Sequence, residues 1–139
     1  MSNKLSELAP DFRTLVDEFL KILEAEGIEY EIEWTHRNRL EQARLFSMGR
    51  IQEASEGFTQ NRPGESFHNY GMAIDLYPMV NGRVKRDHPD IQNKMGAIAK
   101  KLGLVWGGDF NPPEMQHFQM PGLTLTKLQL MQAGSKNGQ

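Results

Sequence analysis

The 139-residue chain contains no cysteine. Disulfides, a thiolate zinc knuckle and a cysteine nucleophile are therefore excluded, and any metal site must use histidine and carboxylate ligands. Ligands of that kind suit an open catalytic site better than a closed structural one. A cysteine-free chain also fits a reducing cytoplasm.

Long apolar runs and an excess of positive charge are missing as well. The N-terminal segment MSNKLSELAPDF has no apolar core of the kind a secretory signal needs, and no run reaches transmembrane length. The formal net charge is -2, without a long Lys/Arg run, so nothing favours nucleic acid or an anionic membrane. We expect a monomer that is made in the cytoplasm, inserts in no membrane and binds no nucleic acid.

What the sequence does contain is ordinary for a globular protein, with 38% hydrophobic and 24% charged residues, which argues against a wholly disordered chain. The length fits one domain over residues 1–139, with a core at about 10–133 and a frayed tail at 134–139.

Periodicity predicts helices and antiparallel strands in a mixed order. A loop is predicted at 50–66, and Asn81–Gly82 is a hairpin turn signal. Because the elements show no repeating βαβ order, the fold class is α+β: a small domain with a central antiparallel sheet and flanking helices. Helices are predicted at 10–27, 39–49, 89–103 and 123–134, and strands at 28–34, 72–80, 104–106 and 117–120.

One carboxylate lies in an unexpected place, within the stretch ESFHNYGMAIDLYP at 65–78. Asp75 has apolar strand neighbours, and burying a carboxylate there without a cation is costly. Together with His68 and His117 it makes a three-ligand shell for zinc that leaves a fourth position for water. Glu114, three residues before His117, could act as the base that takes a proton from that water.

Each of these residues also has a simpler interpretation. Taken alone, His68 would be a hydrogen-bonded, partly buried histidine, and Glu114 an ordinary loop acid. His36 and His88 are expected to be surface or solvated residues. Ser66 lies close to His68, but without a Gly-x-Ser-x-Gly turn a serine hydrolase is poorly supported. The combined spacing of the set favours the metal site.

Two motifs together carry a resemblance to a known family. The segment SFHNYGMAID matches Ser-x-His-x-x-Gly-x-Ala-x-Asp, and EMQHF matches an acid, two residues, then histidine and an aromatic residue. The chain from about 28 to 120 resembles the zinc peptidases of the D-alanyl-D-alanine carboxypeptidase (VanY-like) and L-alanyl-D-glutamate endopeptidase family. The compact phage endolysins belong to that family.

The resemblance implies a zinc site in a cleft and a role for each matching residue. His68, Asp75 and His117 would bind Zn²⁺, and Glu114 would be the general base and then the acid. Arg37 matches the family's basic residue, which would hold a substrate carboxylate or a developing oxyanion, although Arg39 lies close enough to be confused with it. Ser66, Gln42 and Trp106 would line the substrate cleft.

The implied function is hydrolysis of an amide bond in the peptidoglycan stem peptide, most simply the L-Ala–D-Glu bond. A phage lysin that a partner such as a holin releases to the wall is expected. The small phage endopeptidases often carry Asp where this chain has Glu114, which leaves the subfamily open. A D-alanyl-D-alanine carboxypeptidase and a non-catalytic wall-binding module with a structural metal are the alternatives.

Overall fold

The computed structural model describes residues 3–35, 40, 67–122 and 126–127. These residues form an α+β fold, as predicted, in which helices cover one face of an antiparallel sheet. The helices predicted at 39–49 and 123–134, the loop at 50–66 and the tail at 134–139 lie largely or wholly outside the described residues. The elements are α1 (Pro10–Ala25), β1 (Glu29–Trp34), β2 (Ala73–Val80), β3 (Arg83–Val84), α2 (Pro89–Lys101), β4 (Val105–Trp106) and β5 (His117–Gln119).

The sheet has five strands in the order β1-β2-β5-β4, with β3 paired to the far end of β2. All four pairings are antiparallel. The predicted Asn81–Gly82 turn joins β2 to β3, and Val80 pairs with Arg83 across it. The hairpin and all the strand predictions that fall on described residues are thereby confirmed.

A hydrophobic core lies between the helices and one face of the sheet. Apolar residues of α1 at three- and four-residue spacing are fully buried there, as their periodicity predicts. Burying one such side chain stabilises the fold by about 1.5–3 kcal/mol. Packing of several of them holds one face of the sheet against the helices. The core includes Phe12, Val16, Phe19 and Leu23 of α1, Met95 and Ala99 of α2, and Ile74, Leu76 and Phe118 of the sheet.

The start of α2 corrects the expectation that His88 is merely solvated. His88 is the N-cap of this helix, and its Nδ1 accepts a hydrogen bond from the backbone N–H of Ile91 at 3.4 Å. The Gln92 side chain accepts from the backbone N–H of His88 at 3.0 Å, which completes a reciprocal cap. His88 therefore has a structural role at a helix end.

Within the described residues, no helix is both long and apolar enough to cross a membrane.

Candidate metal centre

The face of the sheet that turns away from the core carries the unusual carboxylate. Ile74 and Leu76 belong to the core, so alternation along β2 turns Asp75 to the other face. Asp75 pairs in register with His117 of β5, which puts the two side chains beside each other. Two sequence-distant residues are thus brought together by strand pairing.

His68 reaches the same place from a short 3₁₀ turn, Phe67–Tyr70, that precedes β2. The turn ends at Gly71, whose φ is +67° and where a Cβ would lie 2.9 Å from the carbonyl oxygen of Glu7. The backbone N–H of Ala9 donates to the Gly71 carbonyl at 3.0 Å, so the N-terminal segment is tied to this turn. A side chain at 71 would disturb both the turn and that contact.

The three side chains converge on one point. His68 Nε2 lies 3.2 Å from Asp75 Oδ1, and His117 Nδ1 lies 3.0 Å from the same oxygen. The candidate ligand atoms of the three residues all lie within 4.8 Å of one another, and all three residues are buried. Two ligands at zinc–ligand distance in a tetrahedral site are about 3.3 Å apart, so this spacing fits zinc.

The hydrogen-bond partners of His68 also fit a cation at this point. Its Nδ1 faces the Thr35 carbonyl at 3.3 Å, while its Nε2 faces the Asp75 carboxylate. Both partners can only accept, and a neutral imidazole has one N–H to give. A cation between Nε2 and Asp75 would leave the single N–H of a neutral ring on Nδ1, where it faces the Thr35 carbonyl. A metal held by His68, Asp75 and His117 satisfies every one of these atoms.

Without a metal, neighbouring charges and hydrogen bonds shift the pKa values of Asp75 and His117. Burial alone would raise the pKa of Asp75, but the attraction of His68 and hydrogen bonds from His117 and His68 hold that pKa well below its usual range. Burial alone would lower the pKa of His117, yet the hydrogen bond to Asp75 and the attraction of its charge raise it. A proton therefore competes with a metal for His117.

A β-bulge in β1 lies just before Thr35, whose carbonyl faces His68. The pairing of β1 with β2 is regular up to Ile32, opposite Leu76, and then skips Glu33 so that Trp34 pairs with Asp75. Trp34 therefore shares the face of Asp75 and not that of Ile32, because an inserted residue changes the alternation. Thr35 follows the bulge directly and is fully buried.

Glu114 is attached to the same centre by a tight turn. The backbone N–H of His117 donates to the Glu114 carbonyl at 3.1 Å, and the Glu114 N–H donates to the Gly107 carbonyl at 2.7 Å. The attraction of the Glu114 carboxylate contributes to the raised pKa of His117. Glu114 is exposed to solvent, in contrast to the buried triad.

Trp106 is placed in the core rather than on an open surface. Only 6% of it is exposed, and its indole N–H donates to the Met115 carbonyl at 2.9 Å. Its ring occupies the space beside Gly96 and Gly108, where a Cβ would come within 2.5 Å of ring atoms. This position favours a role in holding the segment between β4 and β5 over a direct contact with substrate.

The remaining predicted site residues, Arg37, Gln42 and Ser66, lie outside the described residues, as does Arg39. Sequence reasoning missed two atoms that contact the histidines: the Thr35 carbonyl and the Gln119 side chain, whose Oε1 lies 2.8 Å from His117 Nε2. A backbone carbonyl leaves no signal in a sequence. Gln119 could have been found from the sequence, because it lies two residues after His117 on the same strand and so shares its face.

Comparisons with known proteins identify the family. Residues 59–120 match the family described as D-alanyl-D-alanine carboxypeptidase. The peptidoglycan L-alanyl-D-glutamate endopeptidase CwlK of Bacillus subtilis is 33% identical over 114 residues, covering 76% of this chain and 68% of that protein.

Solved structures share the fold. The L-Ala D-Glu endopeptidase ChiX of Serratia marcescens is similar with a TM-score of 0.60 and 24% identity, covering 84% of this chain and 82% of that one. A mutant of the vancomycin-resistance D,D-pentapeptidase VanY, from a VanB-type resistance cassette and in complex with Zn(II), gives a TM-score of 0.64 at 13% identity, covering 88% and 83%. The chain therefore belongs to the family of D-alanyl-D-alanine carboxypeptidases and L-alanyl-D-glutamate endopeptidases.

Proposed function

We propose that this chain is a zinc-dependent peptidoglycan peptidase that hydrolyses the amide bond between L-alanine and D-glutamate in the stem peptide. The observation that carries the proposal is the buried convergence of His68, Asp75 and His117, with Glu114 one turn before His117. The Bacillus subtilis relative, named a peptidoglycan L-alanyl-D-glutamate endopeptidase, supports the choice of bond.

His68, Asp75 and His117 would hold the zinc ion. When bound there, zinc supplies Lewis-acid chemistry, polarising a carbonyl and making water more acidic. Two neutral imidazoles and one carboxylate leave one of the ion's two positive charges uncompensated, which this chemistry requires. The Zn(II) complex of the VanY relative supports zinc over other divalent metals.

Glu114 would move the proton. Its exposed carboxylate accepts a proton from the attacking water as the new C–O bond forms. The same group then gives the proton to the amide nitrogen as the C–N bond breaks. The second proton of the water passes from the new carboxyl group to the amine, so the products are an L-alanine carboxylate and an ammonium group on D-glutamate, and atoms and charges balance.

The remaining site residues would bind substrate. The Arg37 guanidinium would hold a substrate carboxylate or the developing oxyanion, and Ser66 and Gln42 would line the cleft. Trp106, which sequence reasoning assigned to the cleft, would contribute by packing beneath the segment that carries Glu114.

We also propose that the protein is a phage endolysin that acts on the wall after a partner such as a holin releases it. The paired motifs around His68 and His117, which resemble those of the compact phage endolysins, support this origin. Lysis on co-expression with a holin, and none with the holin and a catalytically dead variant, is the expected behaviour.

A D,D-carboxypeptidase is the second candidate. The family description for residues 59–120 and the fold shared with VanY favour it. Such an enzyme would release free D-alanine from a pentapeptide stem and would leave the L-Ala–D-Glu bond intact.

Digestion of purified peptidoglycan separates these functions. We expect new amine termini on D-glutamate, identified by labelling and mass spectrometry of the products. Release of D-alanine without those termini would support the carboxypeptidase instead. Zinc binding with neither product would support a wall-binding module with a structural metal.

A further inference from the structure

The two histidines of the centre present different nitrogens to Asp75. His68 uses Nε2 and His117 uses Nδ1. In each ring the other nitrogen faces an oxygen: the Thr35 carbonyl for His68, and the Gln119 side-chain amide for His117. The outer contacts therefore decide which nitrogen is free to bind a metal.

The contact to Gln119 is the shortest of these four, at 2.8 Å from His117 Nε2 to Oε1. A neutral imidazole carries one proton, and a proton on Nε2 leaves the lone pair on Nδ1, which faces Asp75. If Nε2 instead carried the lone pair, Nδ1 would hold the proton and could not bind a metal. An acceptor at Nε2 thus selects the ligand form of His117.

The backbone of Gln119 makes this acceptor a fixed one. Gln119 lies in β5 between β2 and β4, where it pairs with Ala73 on one side and Val105 on the other. It shares the face of His117 because the two lie two positions apart along the strand. An amide also accepts the hydrogen bond without adding a second negative charge beside Asp75.

We propose that Gln119 is a positioning residue, which accepts the Nε2–H of His117 and so keeps the Nδ1 lone pair directed at the metal. The inference rests on the proposed function, since it takes zinc to be the ion that His117 binds. It goes beyond that function by assigning the orientation and tautomer of His117 to one side chain.

Substitutions of Gln119 test the role through zinc affinity, measured by competition with a chromogenic chelator. Gln119→Met keeps the approximate size and removes the acceptor, and we expect zinc affinity to fall roughly 10–100-fold. Gln119→Glu keeps an acceptor oxygen, so its affinity should stay within a few-fold of the parent or increase. Gln116→Met makes the same chemical change at a nearby residue and serves as the control. Gln116 contacts the sheet through its backbone, because its carbonyl accepts from the Leu76 N–H at 2.9 Å.

The zinc affinities of these three variants, each compared with the parent, test the positioning role of Gln119. Weakened zinc binding in Gln119→Met, recovery in Gln119→Glu and no change in Gln116→Met support the positioning role. Equal affinity of Gln119→Met and the parent would overturn it. A parent protein that binds no zinc would instead refute the proposed function, so the two failures are distinguishable.

A measurement on the unsubstituted protein covers the case in which Gln119→Met does not fold. Nitrogen-15 NMR of the zinc-loaded parent should show His117 with its proton on Nε2, exchanging slowly with water because Gln119 holds it. A proton on Nδ1 of His117, or rapid exchange of the Nε2 proton, would contradict the inference.

Discussion

At the scale of single residues, the chemistry is divided between a buried group and an exposed one. Asp75 supplies a negative charge that a bound metal can neutralise, so its burial at 7% exposure is compatible with stability. Glu114 lies outside that group and is exposed, as a residue that must exchange protons with water needs to be. Exposure therefore distinguishes the proposed base from the proposed ligands.

Replacing Glu114 with glutamine should separate catalysis from metal binding. The amide cannot take a proton, so we expect peptidoglycan hydrolysis to fall roughly 10²–10⁴-fold. Zinc content and thermal stability should stay close to those of the parent, because the ligands are other residues.

Asp109→Asn serves as the matched control for Glu114→Gln. It removes a carboxylate from the same segment, one that pairs with Lys100 at 3.2 Å on the surface. Hydrolysis by this control should stay near the parent rate. Full activity in Glu114→Gln would end the assignment of Glu114 as the base.

Residue identities at the centre were predictable because the chemistry restricts them. An aspartate among apolar strand residues needs a cation, and histidines are the neutral ligands available to a chain without cysteine. The role of Thr35 was not predictable, because its contact with His68 uses a backbone carbonyl that any residue has. His88 was underestimated because N-capping by a ring nitrogen is uncommon compared with capping by Ser, Thr, Asp or Asn.

At the scale of secondary-structure elements, the segment between β4 and β5 connects the core to the centre. Trp106 anchors its start in the core and binds the Met115 carbonyl near its end. Gly107 and Glu114 are joined by a backbone hydrogen bond, and Glu114 is joined in turn to His117. The base and one ligand are therefore positioned by the same short stretch of backbone.

Gly107→Ala should disturb that arrangement. A Cβ at 107 would lie 2.4 Å from the Glu114 carbonyl oxygen and 2.9 Å from the Cβ of His117, and backbone atoms must move to relieve such contacts. We expect lower hydrolysis per folded molecule and weaker zinc binding, measured on protein shown to be folded by circular dichroism.

Gly103→Ala is the control for a general cost of losing glycine. Its φ is +90° and nothing lies within 4 Å of the added Cβ, so it introduces backbone strain without a clash. It should lower the melting temperature while hydrolysis per folded molecule is unchanged. Parent-like zinc binding and hydrolysis in Gly107→Ala would show that the turn does not position the centre.

The elements themselves followed from periodicity and turn chemistry where their patterns were regular. The apolar spacing of α1, the alternation in β2 and the Asn81–Gly82 turn all predicted what the structure contains. The bulge in β1 was not predictable, because Glu33 continues the apolar–polar alternation of its strand in the sequence. Only the pairing with β2 reveals that one residue has been inserted.

At the scale of the whole molecule, the proposed metal links folding to pH. Without metal, the raised pKa of His117 adds stability that is fully present below its unfolded value of 6.5 and is lost as pH rises through the folded value. Zinc needs the unprotonated ring, so stabilisation by zinc should grow over the same interval. Rising pH therefore removes the stability that the protonated His117 ring provides and increases the stability that zinc provides.

Thermal unfolding near pH 6 and near pH 8, with chelator and with zinc, measures both effects. We expect the His117 contribution to make the chelated protein less stable at about pH 8 than at about pH 6, and the gain from zinc to be larger at the higher pH. His117→Gln, which has no titrating ring, should remove most of the decline in the chelated protein. A zinc gain that is larger at about pH 6 would contradict the assignment of His117 as a ligand.

The central claim, that His68, Asp75 and His117 form a zinc centre, is tested most directly by metal analysis of purified protein. The account predicts stoichiometric zinc in the parent and in His88→Ala, whose histidine caps α2 and is not one of the three ligands, and no bound zinc in His68→Ala. Zinc in His68→Ala at the parent level, or a parent without zinc after reconstitution, would contradict it.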